Sequence, residues 1–124
     1  MKTLPYREVH LDFHTSEAVP AVGDRFDKEQ FKVALKAGHV DSITVFSKCH
    51  HGWAYHPSTA NEMHPKLNFD LLGAELEACR EAGVNAPVYI SAGLDEKYAR
   101  RHPENLVKGS PNAGHDFLNA AHYH

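Results

Sequence analysis

From Glu8 to His14 the chain alternates. Val9, Leu11 and Phe13 fall on one side and His10, Asp12 and His14 on the other. A period of two predicts an extended strand with one apolar face. The opposite face, with its carboxylate and imidazoles, is too polar for a sealed sandwich core. Thr15 to Arg25 reads as a loop punctuated by Pro20 and Gly23. At Asp27 the period changes. Asp27 and Gln30 have capping-box spacing, and Phe26 and Phe31 sit where a hydrophobic staple places them. Phe31, Ala34 and Leu35 line one helix face, and Gly38 is the natural stop.

Ser42 to Phe46 predicts a second strand, with Ile43 and Val45 on one face and Thr44, Phe46 and Lys48 on the other. A long loop follows, from Ser47 to Leu67. The strongest helical pattern runs from Asn68 to Ala82. Leu72, Leu76 and Cys79 recur at i, i+4 and i+7, Leu71 and Ala78 widen the stripe, and Gly83 ends it. Ala86 to Ser91 gives a third strand in which Val88 and Ile90 oppose Tyr89 and Ser91. Asp95 to Arg101 is a short helix closed by His102-Pro103, and beyond Lys108 no periodicity remains.

Strand–helix alternation implies a parallel sheet with right-handed crossovers. Functional residues in such folds gather at the carboxyl ends of the strands. Three exits therefore share one edge: Asp12-Phe13-His14-Thr15, Lys48-Cys49-His50-His51 and Ser91-Ala92-Gly93. Central strands of an open doubly wound sheet are apolar on both faces. These strands keep one mixed or polar face, as barrel strands do near the lumen. The expected class is α/β: a partial TIM (β/α) barrel of about three N-terminal βα units with parallel strands. A whole barrel takes about 250 residues, against 124 in this chain. Residues 1–108 are expected to be the N-terminal part of such a domain, and residues 109–124 an irregular, truncated tail. Unpaired edges on the first and third strands favour homo-oligomers.

Composition narrows the function. The net charge of -3, with both signs interspersed, gives no footprint for nucleic acid. No run approaches the roughly 20 apolar residues of a membrane span. The first residues lack the apolar core of a signal peptide. Cys49 and Cys79 do not read as a disulfide framework, and the expected compartment is the cytoplasm. No Gly-rich phosphate loop is present, so no cofactor is expected. The 11 histidines are the unusual total, three of them (His115, His122, His124) in the tail. The segment Ser47-Lys48-Cys49-His50-His51-Gly52-Trp53-Ala54-Tyr55-His56-Pro57-Ser58 sets imidazoles and aromatic rings at a strand exit. Aromatic faces stack on sugar rings, and imidazole and ammonium groups hydrogen-bond hydroxyls. Competing readings make Trp53 and Tyr55 packing under the loop, Asp12 and His14 a structural pair, Cys49 a small buried hydrophobe, and Tyr89 and Ser91 lumen packing.

Leu11-Asp12-Phe13-His14, Lys48-Cys49-His50-His51-Gly52-Trp53 with Ser58, Phe69-Asp70-Leu71-Leu72 and Pro87-Val88-Tyr89-Ile90-Ser91 together resemble the N-terminal part of a hypothetical glycosyl hydrolase family. That family is related to the alpha-L-fucosidases and has a TIM-barrel catalytic domain. The resemblance runs from about Tyr6 to Val107. Fucosidases carry Lys-His-His-Asp-Gly-Phe at the corresponding exit, with a serine shortly after, and this segment contacts the sugar. Lys48, His50, Gly52 and Ser58 match. Trp53 takes the phenylalanine position, Cys49 that of the first histidine and His51 that of the aspartate.

The resemblance implies carbohydrate contacts at His14, His50, His51 and Trp53, with Lys48, Asp12 and Tyr89 behind them. It also implies that the catalytic carboxylates lie on later strands, so that this chain alone has no turnover. Two alternatives stand beside it. A metal-dependent hydrolase of the same barrel class would use Asp12, His14 and His50 or His51 as ligands. A non-catalytic carbohydrate-binding fragment would use the same residues without metal.

Overall fold

The computed structural model describes residues 4–106; the expectations for residues 107–124, including the tail histidines, lie outside that range. The elements are β1 (Glu8–His10), α1 (Lys28–Ala37), β2 (Ser42–Lys48), α2 (Leu71–Ala82), β3 (Val88–Ile90) and α3 (Glu96–Arg101), then a 3-10 turn at Pro103–Asn105. The three strands form one sheet in the order β1-β2-β3, and both pairings are parallel. The chain is therefore an α/β protein of alternating strand–helix units, in which consecutive strands are neighbours.

The helices begin and end where their capping chemistry puts them. The Asp27 side chain accepts from the Gln30 amide at 2.7 Å, and Phe26 packs on Phe31 with ring centroids 5.6 Å apart. Asp70 caps α2 through the Gly73 amide, and Gly83 closes it in the left-handed conformation at φ 69°. Between sheet and helices lies one core cluster, built on Leu35, Ile43, Val45, Leu72 and Cys79. A second cluster gathers Val22, Phe46, Cys49, Tyr55, Leu67 and Leu71. The long loop thus brings its own core, which anchors it over the sheet. Its backbone is tied down by Tyr55 N–H to Ser47 O, His64 N–H to Ala54 O and Leu72 N–H to Tyr55 O.

Two expectations are corrected. The first strand is three residues long, not seven. The Leu11 amide still reaches Thr44 O at 3.1 Å, but Asp12 N–H turns back to His10 O. Beyond that point the backbone is claimed by a side chain: the Phe13 carbonyl and the Thr15 amide both bond the Tyr55 phenol. A strand ends where its ladder groups find other partners. The second correction concerns Lys48. Phe46 pairs with Tyr89, yet Lys48 pairs with Ile90, so Ser47 is an extra residue in the ladder. Such a bulge inverts the alternation that follows it. Lys48 therefore leaves the face of Thr44 and Phe46 and joins that of Ile90.

Val88 and Ile90 stand on the apolar face of β3, and Ile90 remains 60% exposed. The six-residue α3 is too short to cover them. Among the described residues, no helix is long and apolar enough to cross a membrane.

Candidate functional site

One side chain organises the strand exits. Tyr55, fully buried, places its phenol oxygen 3.2 Å from the Thr15 amide, which donates to it, and 2.8 Å from Thr15 Oγ1. Its proton has Phe13 O at 3.2 Å and Cys49 Sγ at 3.1 Å within reach. Burial, reinforced by the bond to Cys49, pushes this phenol well above the ordinary tyrosine value, so it stays neutral. Tyr55 thus bonds the residues on either side of His14 and the residue just before His50. Replacing Tyr55 by phenylalanine strips the buried Thr15 amide of its acceptor and is expected to cost about 1–3 kcal/mol. Urea denaturation measures that loss, and an unchanged midpoint would contradict the assignment. The nuclear Overhauser contacts between His14 and His50 should weaken in parallel.

Held this way, the imidazoles form a row. The rings of His14 and His50 stack with centroids 4.3 Å apart and planes within 28°, and His50 lies 4.3 Å from His51. A carboxylate stands at each end. Asp12 Oδ1 is 2.6 Å from His14 Nε2, and Glu96 Oε2 is 2.6 Å from His51 Nδ1. A His51 that donates through Nδ1 keeps Nε2 as an acceptor. Beneath the row lies an aromatic floor. Phe46 and Tyr89 pack at 4.4 Å, and His10 and His14 each meet Phe46 edge-on at 5.3 Å. Imidazoles over an aromatic floor can bond hydroxyls on one side of a ring and cover its apolar face on the other.

Glu96 reaches His51 because α3 docks on the second strand exit. The Glu96 amide donates to His50 O at 2.7 Å, and Asp95 accepts from the Tyr98 amide to cap the helix. The second oxygen of Asp95 binds Lys48 Nζ at 2.7 Å, with the two side chains only 7% and 14% exposed. Gly52, at φ 91°, lets this pair close. A Cβ there would collide with Asp95 Oδ1 and meet Lys97 Cβ at 2.8 Å.

The structure thus brings Asp12, His14, His50, His51 and Tyr89 into one surface and turns the Lys48 ammonium toward Asp95. Trp53 is set to one side, with its indole N–H 3.3 Å from Glu17 Oε2 and Lys97 Nζ 4.5 Å above its ring. Arg100 links it to the row, bridging Glu17 at 2.7 Å and Glu96 at 3.3 Å. The Arg100 guanidinium holds the Glu17 carboxyl down to about 2. Cys49 is fully buried at the Tyr55 phenol, as a small core residue would be. Among the described residues, one ligand atom each from His50, His51 and Glu96 lie within 4.8 Å of one another, a spacing that could hold a metal ion. That set shares its histidines with the sequence-based alternative, but takes Glu96 in place of Asp12 and His14.

The model of the family called hypothetical glycosyl hydrolase 6 matches residues 27–118. The chain belongs to this family. Two solved structures of alpha-L-fucosidases are similar to it. Alpha-L-fucosidase isoenzyme 2 from Paenibacillus thiaminolyticus is 50% identical over 93% of this chain, with a TM-score of 0.86. A fucosyltransferase mutant of the alpha-L-fucosidase AlfC is 26% identical over 64% of the chain, with a TM-score of 0.51. The chain spans 19% of the Paenibacillus enzyme and 25% of the AlfC chain. No curated protein matches. This family member is therefore a fucosidase-related glycoside hydrolase domain.

Sequence reasoning named the imidazoles but missed Tyr55 as their organiser and Glu96 and Asp95 as partners. Asp95 and Glu96 follow β2 by more than 45 positions, and no local pattern links them to it.

Proposed function

We propose that this chain forms the first βα units of a fucosidase-type (β/α) barrel, and that its first two strand exits form one wall of the sugar site. His14, His50 and His51 are the hydroxyl contacts, Asp12 and Glu96 orient the outer two imidazoles, and Tyr89 with Phe46 backs the surface. Trp53 serves from the rim. The observation that carries this reading is the stacking of His14 on His50 at 4.3 Å, since the two come from different strand exits. The identity to an enzyme named as an alpha-L-fucosidase points to L-fucose as the ligand. Retaining glycosidases need two carboxylates about 5–5.5 Å apart on either side of the glycosidic bond. Under this proposal those carboxylates come from later strands, and the chain binds without turning over.

The test is a titration of the chain with L-fucose, followed by NMR, beside an assay with an aryl alpha-L-fucoside. Binding is expected, with no release of the aryl group. His50→Ala is expected to weaken binding at least about tenfold, a loss of about 1.4 kcal/mol. Measurable hydrolysis would sink the division of labour, and absence of binding would sink the sugar site. A second reading rests on the spacing of His50, His51 and Glu96. If these residues hold zinc, fucose affinity changes after dialysis against EDTA and returns with zinc; if not, it is indifferent to both.

A further inference from the structure

The buried face of α2 carries Leu71, Leu72, Glu75, Ala78 and Cys79. Glu75 occupies the middle of an apolar stripe, where a leucine would be expected. It is only 7% exposed, and among the described residues its carboxyl has no hydrogen bond and no ion pair. Buried polar groups are nearly always paired, and an exception calls for an explanation. Glu75 also lines a cleft of about 510 Å³, walled by Leu11, Phe13, Phe26, Phe31 and Leu71 and open to solvent. That volume is within the usual range for small-molecule sites, which is about 300–1,000 Å³. The charged groups facing the cleft from the β1–α1 loop are Asp24 and Arg25, both exposed. Leu11 and Phe13 face this cleft, whereas Asp12 and His14 belong to the imidazole row, so the two sites lie on opposite sides of the first strand exit.

We propose that this cleft is a binding site for a small apolar ammonium, a protonated amine whose hydrocarbon body fills the phenylalanine-lined walls and whose N–H groups bond Glu75. Three aromatic rings and one buried carboxylate suit a cation with an apolar body. The ring faces attract positive charge, and a desolvated carboxylate gains most from a donor that is itself charged. A neutral alcohol of the same shape would fill the walls and donate one hydrogen bond, but it brings no opposite charge to the carboxylate. A quaternary ammonium would satisfy the charge but not the hydrogen bond. The site is independent of the sugar-binding reading, and either can fail without the other.

The experiment titrates the 124-residue chain with 2-phenylethylamine, 2-phenylethanol and a quaternary analogue at about pH 7.5, followed by NMR. The amine is expected to bind with a dissociation constant below about 1 mM and the alcohol at least about tenfold more weakly. The quaternary analogue should fall between them. The Glu75 carboxyl carbon should shift as the amine saturates. Glu75→Gln is expected to lose the preference for amine over alcohol while retaining the fold. Equal affinity for amine and alcohol, an unchanged preference in Glu75→Gln, or no binding of any of the three overturns the proposal. The amine–alcohol comparison needs no variant, so it stands even if the variant folds poorly.

Discussion

Replacing Asp95 by alanine is expected to cost the chain about 4 kcal/mol, the sum of a broken buried ion pair and a lost helix cap. Two jobs meet in this one carboxylate. Oδ2 binds Lys48 at 2.7 Å, and Oδ1 accepts the Tyr98 amide at 2.8 Å at the start of α3. Both side chains of the pair are nearly out of water. Removing one partner takes from the other buried charge its counter-charge at 2.7 Å, a loss of about 3–5 kcal/mol for a buried pair. Asp95→Asn separates the two jobs, because asparagine caps helices about as well as aspartate. It should lose only the ionic part, about 3 kcal/mol, and alanine about 1 kcal/mol more. Against a typical stability of about 5–15 kcal/mol, either loss is large. Urea unfolding of the two variants gives the comparison, and two midpoints equal to that of the parent would refute the pair. Since α3 also carries Glu96 to His51, the proposed sugar site predicts weaker fucose binding in both variants.

Glu75→Gln is expected to act in the opposite direction and to depend on pH. Burial pushes the Glu75 carboxyl up to about 7 in the folded chain, from an ordinary value of 4.5. The folded state therefore holds a proton that the unfolded state has released, and stability falls as pH rises between those two values. Below about pH 4 both states are protonated and no penalty exists. Above about pH 8 the full penalty applies, as much as about 3 kcal/mol, because each pH unit separating the two values is worth about 1.36 kcal/mol. Glutamine cannot ionise. The variant should match the parent near pH 4 and melt at a higher temperature at about pH 8. Parallel melting curves across that range would show that Glu75 is solvated after all. The same penalty bears on the amine site, because a ligand that pairs with the ionised carboxyl removes it.

The sequence was most legible where the physics is local. Asp27 and Gly38 bound α1, and Gly83 closes α2, because caps act on backbone groups three or four residues away. The sequence pattern starts α2 at Asn68, whereas the Asp70 cap sets its start at Leu71. The order of strands and helices followed from the change of period. The length of β1 did not, because the phenol that ends the strand sits about 40 residues later, at Tyr55. The face of Lys48 was misread because a bulge leaves no trace in an alternating pattern, and Ser47 suits either side of a sheet. Glu75 was visible in principle. Its spacing from Leu71, Ala78 and Cys79 puts it on their face, but a carboxylate is read as solvent-facing unless its position is weighed before its charge. The imidazoles stood out by type, while their carboxylate at Glu96 depends on how α3 docks.

Tyr55 also sets how the two rims behave as a mechanical unit. Fastened to Phe13 and Thr15 on one side and Cys49 on the other, it acts as a strut, so the segments bearing His14 and His50 shift together or hardly at all. The entropic expense of aligning the rings is met while the chain folds, and little is left to be met when a guest arrives. A surface assembled in this way selects by fit to a fixed outline and adapts poorly to guests of another shape.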